Sequence, residues 1–127
     1  MPAILVVFYQ EAQGSSEVVT WLSELRKQNP KVYAKCVTRV ERLAEMGHEL
    51  RRPEADLLRD DIYELRATFK GVHYRLLYFF HGRVAAVVAC GLTKEAEVPD
   101  VEINRAIQKR AAFLKNPAAH TFTEEQT

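Results

Sequence analysis

The central third of the chain, residues 62–92, constrains the fold more than any other feature of the sequence. Polar and apolar residues alternate with a period of two over Ile62–Phe69, which is typical of a strand with one buried face. Two apolar segments follow at 72–80 and 84–92, and the breaks between the three are Lys70-Gly71 and His81-Gly82. Because glycine tolerates the positive φ of tight hairpins, we predict an antiparallel three-stranded meander.

Two-residue turns at both breaks predict one register for the meander. Across the first turn Arg66 faces Arg75 and Thr68 faces His73, and across the second Tyr78 faces Ala85 and His73 faces Cys90. The other face then holds only apolar or aromatic pairs, and a slip by one residue would mix the two faces. The residues predicted to be buried beneath helices on that face are Tyr63, Leu65, Leu76, Tyr78 and Val87.

A strand and two helices are predicted before the meander. Residues 4–9 are rich in β-branched and aromatic side chains, and the helical spacing that follows is divided at Pro30 and ends at Gly47. These helices form an α-hairpin. Residues 47–61 lose the helical period, so we predict a loop there with a short helical turn over 55–58.

A last helix is predicted after the meander, beginning at Pro99 and closed by Pro117. Residues 117–127 are polar, and we predict a flexible tail. The fold class is therefore α+β. We predict one domain over residues 1–116, in which an antiparallel meander packs against an N-terminal α-hairpin and a C-terminal helix.

Composition excludes several classes of protein. Cys36 and Cys90 belong to no CxxC pair or Cys/His ligand pattern, so no metal site is predicted, and no cofactor-binding motif is present. The N-terminal apolar run has no basic segment before it and is too short to span a bilayer. We therefore predict a cytoplasmic protein with no membrane partner.

Positive charge is concentrated in the meander. The whole chain has a net charge of +1, but residues 62–94 carry five basic side chains and one acidic one, Glu64. The other segments are neutral or acidic: −1 over 1–29, 0 over 30–61 and −2 over 95–127. A local basic surface attracts phosphate even when the protein as a whole is nearly neutral.

The polar face of the predicted meander carries the candidate chemistry. Arg66 beside Arg75 is destabilising unless an anion lies between them, and guanidinium groups suit phosphate. Glu64 could instead neutralise one arginine and leave only a structural ion pair. The same face turns apolar towards its other end, which predicts a second packing surface that a partner covers in the cell. Its apolar residues are Leu77, Phe79, Val84, Ala86 and Val88.

Four short motifs stand out in the second half of the chain: LRRP at 50–53, YELR at 63–66, YRLLYFF at 74–80 and GLTKE at 91–95 followed by Pro99. They resemble motifs of phage-derived Gp49-like proteins, which belong with HigB-type toxins in the RelE/ParE superfamily. The resemblance implies a RelE-like fold. It also implies the toxin of a type II toxin–antitoxin system, acting as a ribosome-dependent endonuclease on messenger RNA without a metal ion.

The resemblance also implies roles for individual basic residues. Arg66, Arg75 and Lys94 fall where the family places catalytic or phosphate-binding residues. In the reaction that the resemblance implies, a ribose 2′-hydroxyl attacks the adjacent phosphate, and this attack needs proton transfer. The candidate groups for it are Glu64, His73, Glu49 and Glu54. The residues predicted to contact RNA around this site are Arg51, Arg52, Lys70 and Arg83.

The partners implied by the resemblance are the ribosome with its message and a cognate antitoxin, expected to be a small helix-turn-helix protein. Two alternatives stay open. The chain could be a non-enzymatic inhibitor of DNA gyrase like the ParE branch, or a degenerate phage remnant that only binds RNA. The basic positions of the meander favour the nuclease.

Overall fold

The computed structural model describes residues 3–83, 85–94 and 97–122, and this part of the chain holds three helices and five strands. The fold is α+β, as the sequence predicts. The elements are β1 (Leu5–Phe8), α1 (Glu17–Gln28), α2 (Pro30–Met46), β2 (Ala55–Arg59), β3 (Ile62–Phe69), β4 (Val72–His81), β5 (Ala85–Lys94) and α3 (Asp100–Lys115).

The five strands form one sheet in the order β1-β5-β4-β3-β2. Neighbouring strands are antiparallel except β1, which runs parallel to β5. The prediction of a helical turn over 55–58 was wrong, because these residues form the edge strand β2. In β2, Asp56 lies opposite Glu64, a cross-strand pair that local periodicity cannot reveal.

The first hairpin of the meander has the predicted register. Arg66 pairs with Arg75 and Thr68 with His73, so these four side chains share one face. The turn is tight because Lys70 and Gly71 both have positive φ, 52° and 80°. The prediction that Arg66 and Arg75 lie side by side is therefore confirmed.

The second hairpin does not have the predicted register. Tyr78 pairs with Val88 rather than Ala85, because His81 is itself paired with Ala85 and the turn holds more than two residues. Further along, Ala89 is an extra residue without a cross-strand partner, which is a β-bulge. Each departure shifts the register, and neither has a clear signal in the alternation of the sequence.

The shifted register changes the polar face. His73 lies opposite Lys94 rather than Cys90, so Lys94 is the last residue of β5 and not a loop residue. Val87 is fully buried as predicted, but it packs in the core on the α3 side of the sheet.

Helices cover both faces of the sheet. The first core lies beneath α1 and α2, where Val18 and Leu43 pack with Leu65 and Tyr78. The second core lies beneath α3, where Phe113 and Ile103 pack with Leu77 and Phe79. Of the apolar residues predicted on the Arg66–Arg75 face, Leu77 and Phe79 are covered by α3 of the same chain. The prediction was wrong for Ala86 and Val88, because the shifted register turns them into the core beneath α1 and α2. Val84 lies outside the described residues.

Residues 117–122 are packed, in contrast to the flexible tail that was predicted from 117 onward. The Phe122 amide donates to the Phe8 carbonyl over 2.8 Å, and the His120 ring stacks on Tyr9 with centroids 5.0 Å apart. Residues 123–127 lie outside the described part of the chain. No helix in the described ranges is long and apolar enough to cross a membrane.

A buried lysine on α3 donates a hydrogen bond to the bulge residue of β5. Lys109 donates to the carbonyl of Ala89 over 3.0 Å and to Glu17 of α1 over 2.9 Å. Hydrogen bonds from Lys109 and Arg105 lower the pKa of the Glu17 carboxyl. Because Lys109 bonds to α1 and β5, it ties both to α3.

Gly91 of β5 allows α1 to lie directly on the sheet. A Cβ at this position would meet the Trp21 ring at 2.4 Å, a separation that requires the indole to move. We expect Gly91→Ala to destabilise the protein by about 1–3 kcal/mol through overpacking. Trp21 is the one tryptophan of the chain, so a red shift of its fluorescence and a lower unfolding midpoint in urea test this. An unchanged spectrum and midpoint would contradict the packing described here.

Candidate functional site

The candidate site lies on the face of the sheet against which α3 packs, at the end of the β3–β4 hairpin that carries Arg66 and Arg75. The predicted pairing of β3 with β4 brings its central residues together, and β2 extends the cluster at the sheet edge. Its members are Asp56 on β2, Glu64, Arg66 and Thr68 on β3, and His73 and Arg75 on β4. We call these six residues the sheet site.

Glu64 bridges the two arginines. One carboxylate oxygen accepts from Arg66 over 2.7 Å and the other accepts from Arg75, also over 2.7 Å. Glu64 is only 2% exposed and Arg75 only 5% exposed, so this is a buried ion pair. Arg75 therefore lies inside the protein although it belongs to the polar face of the meander. The anion between the arginines is a carboxylate of the same chain.

Arg66 is the arginine of this cluster that faces solvent. Its side chain is 36% exposed, and its Nε has no hydrogen-bond partner within the described residues. Arg39 of α2 donates to the backbone carbonyl of Arg66 over 2.8 Å, which links β3 to α2 at this point. Arg66, Arg75 and Glu64 together carry a net charge of +1, and Asp56, the other carboxylate of the sheet site, is paired with Arg52 at 2.8 Å, so this part of the sheet retains attraction for an anion.

A threonine orients the histidine of the site. The Thr68 hydroxyl lies 2.8 Å from Nδ1 of His73, across the β3–β4 pair. A bond to one ring nitrogen selects the tautomer and leaves the other nitrogen for proton transfer. Thr68 was not singled out as a functional residue in the sequence, although the predicted register already placed it opposite His73.

Asp56 is a second residue that sequence reasoning missed, because β2 was not predicted. Arg52 makes an ion pair with it at 2.8 Å. The hydrogen bond from Arg52 is the main cause of the lowered pKa of the Asp56 carboxyl, and the charge of Arg66 contributes further. The structure thus places Arg52 beside the site, with its charge matched by Asp56.

The other predicted basic residues are dispersed. Arg51 donates to the carbonyls of His48 and Leu50 and so closes the loop after α2. Lys70 is exposed in the turn between β3 and β4, with its Nζ 5.4 Å from the centre of the Phe69 ring. It lies at the same end of the sheet as His73.

Two further predicted residues have different outcomes. Arg83 is exposed in the turn between β4 and β5, at the far end of β4 from His73, so the structure does not bring it to the sheet site. The backbone of Lys94 lies opposite His73, and its side chain is outside the described part of the structure.

The candidate proton-transfer groups differ in their availability. Both oxygens of Glu64 bind arginines, and Glu54 bonds to Arg42 and Arg39 of α2, with Arg42 the main cause of its lowered pKa. Glu49 lies in the short 3₁₀ turn after α2 and not on the sheet. His73 is half-buried on the same face as Arg66 and Arg75, which makes it the best-placed base or acid of the four.

No three metal-binding side chains converge within the described residues. What the sheet site offers is a partly exposed guanidinium, a second arginine held by Glu64, and an oriented imidazole. Such groups can bind an anion and exchange a proton with it.

Comparison with known proteins identifies one family. A search of curated proteins finds no matching sequence. The family model described as "Phage derived protein Gp49-like (DUF891)" matches residues 23–111, a span that includes α2, all of β2–β5 and most of α3. The whole sheet site lies within it. Because the match covers well over half of the 127 residues, the chain belongs to the family of phage-derived Gp49-like proteins.

Proposed function

We propose that the protein is the toxin of a type II toxin–antitoxin system and that it cleaves messenger RNA on the ribosome without a metal ion. The observation that carries this proposal is the juxtaposition of Arg66, held by buried Glu64, with the oriented imidazole of His73 on adjacent strands. Membership of the Gp49-like family supports it.

In this mechanism His73 accepts the proton of a ribose 2′-hydroxyl as the oxygen attacks the adjacent phosphorus. The 2′-oxygen–phosphorus bond forms and the bond from phosphorus to the 5′-oxygen breaks, leaving a 2′,3′-cyclic phosphate. Arg66 stabilises the negative charge that develops on the phosphorane. The departing 5′-oxygen takes a proton from water or from an acid of the site.

Two partners belong to the proposal. The ribosome presents the message, which places the activity in the cytoplasm. A small helix-turn-helix antitoxin encoded beside this chain holds it inactive. The apolar residues once assigned to that face no longer argue for the partner, since those that the structure describes lie in the two cores beneath the helices of the same chain.

A protein that binds RNA without cutting it is the second candidate, and one observation favours it. The Glu64 carboxylate already occupies the position between Arg66 and Arg75 where a scissile phosphate was expected. Of these two arginines, Arg66 would then be the one that contacts a phosphate, with weaker stabilisation of the transition state.

Expression in bacterial cells tests the toxin proposal. We expect the chain alone to arrest growth and protein synthesis, and co-expression with the adjacent helix-turn-helix reading frame to restore both. A His73→Ala variant expressed to the same level is the matched control, and we expect it to be tolerated. Normal growth and translation at high levels of folded wild-type protein would contradict the proposal.

A further inference from the structure

The tip of the α1–α2 hairpin carries a second concentration of positive charge, separate from the sheet site. Residues 25–40 hold five basic side chains and no acidic one. Arg39 donates hydrogen bonds to the Glu54 carboxylate and to the backbone carbonyl of Arg66. The other four are exposed, and we call them the basic tip. They are Arg26, Lys27, Lys31 and Lys35.

None of the four makes an ion pair with any described residue, and the Arg26 guanidinium lies 5.8 Å from the centre of the Tyr33 ring. Lys31 and Lys35 are four residues apart on α2 and therefore repel each other. Lys31 also lies in the first turn of α2, where the helix dipole disfavours a cation and where no acidic residue compensates. Ion pairs between described residues therefore leave these four charges available to a ligand.

The basic tip lies at the same end of the molecule as the sheet site. A hollow between the hairpin and the sheet is lined by Glu24, Gln28 and Asn29 of the hairpin and by Tyr74 and Thr93 of the sheet. Tyr74 packs on the hairpin face, whereas its neighbour His73 faces the other side of the sheet. A polyanion held at the tip therefore reaches the sheet site around the end of the sheet, at the turn that carries the exposed Lys70.

We propose that the basic tip binds the phosphate backbone of RNA next to the sheet site. Three of its four cations are lysines, which act as point charges towards phosphate and do not form the planar fork that selects single carboxylates. Binding through such charges is independent of base sequence. The choice of RNA as the polyanion rests on the proposed function, and the rest of the inference does not.

A membrane surface fits the basic tip less well. Membrane-bound amphipathic elements combine cations with exposed apolar side chains. The large apolar side chains exposed in the described ranges are Leu5, Leu57, Val101 and Leu114, and none of them lies on α1 or α2.

The test is the salt dependence of binding to a fluorescein-labelled RNA hairpin, measured by anisotropy with the full-length protein. We compare wild type, Lys35→Gln, Lys31→Gln/Lys35→Gln, and the control Lys115→Gln at the far end of α3, which removes one exposed cation elsewhere. Each tip lysine should reduce the slope of log Kd against log salt by about 0.7–0.9, which weakens binding about five- to eightfold near 0.1 M salt. Lys115→Gln should match wild type.

Equal slopes for Lys35→Gln, Lys115→Gln and wild type would overturn the inference. It would also be overturned if the double variant bound RNA normally but lost binding to polyglutamate or to phosphatidylserine vesicles, which stand for an acidic protein and a membrane. Binding is measured here and not cleavage. A protein that shows the expected slopes but cuts no message would refute the nuclease and retain the RNA-binding tip, and the reverse result would refute the tip alone.

Discussion

Replacing Arg75 with methionine is expected to destabilise the protein by about 3–5 kcal/mol, because it removes a main partner of a buried carboxylate. Of its two ion pairs with described residues, Glu64 would keep the one with Arg66, which is partly exposed. Denaturant unfolding followed by circular dichroism measures the loss. A variant at Arg75 that abolishes activity would therefore report on folding as well as on chemistry.

Two further variants separate the buried pair from a general effect of losing an arginine. Arg66→Met removes the more exposed partner and should cost about 1 kcal/mol. Glu64→Leu/Arg75→Met replaces both buried charges by apolar groups and should recover most of the lost stability. If Arg75→Met cost no more than Arg66→Met, or if the double variant were less stable than the single one, the buried bridge would not have the role described here.

Replacing His73 with alanine is expected to lower the rate of message cleavage by about 10²–10⁴-fold, the usual contribution of a positioned general base or acid. His81 offers a matched control, since it is a histidine on the same strand at the end packed against Phe113. His81→Ala should cleave at the wild-type rate once its folding has been verified. Equal loss in both variants would assign the effect to the strand and not to the imidazole.

Thr68→Val tests whether the hydroxyl orients that imidazole. The loss of one neutral hydrogen bond is worth about 0.5–1.5 kcal/mol, so cleavage should slow by up to about tenfold. Thr68→Ser keeps the hydroxyl and should retain the wild-type rate, because it can still select the tautomer of His73. A purely structural threonine would lower the stability of Thr68→Val and leave the cleavage rate of the folded protein unchanged.

The first hairpin could be predicted from sequence because its turn is short and the alternation of β3 is strict. One register sorts every side chain, and it placed Arg66 beside Arg75 and Thr68 opposite His73. The second hairpin could not be predicted, since β5 is apolar on both faces. A bulge at Ala89 therefore leaves no trace in the order of polar and apolar residues. Strands buried on both sides lose the alternation that sets register.

The burial of Glu64 and Arg75 and the charge balance of the site could not be predicted from the sequence, because both depend on the three-dimensional arrangement of side chains. Glu64 was recognised as a possible partner for one arginine, but its contact with both depends on side-chain directions across two strands. The basic tip was hidden for a different reason. Its residues fall on either side of residue 29, and acidic residues elsewhere in segments 1–29 and 30–61 balance their charge in the net charge of each segment.

The measurement that tests the central claim most directly is mapping of message ends in a translation extract with saturating magnesium. Wild type should produce new ends carrying 2′,3′-cyclic phosphate, and Arg66→Ala should produce them about 10- to 100-fold more slowly, since one charge-assisted contact is worth about 1.5–3 kcal/mol. Intact message in the presence of folded wild-type protein would contradict the nuclease and favour the binding protein. Equal cleavage by wild type, Arg66→Ala and His73→Ala would show that the chemistry lies elsewhere on the chain.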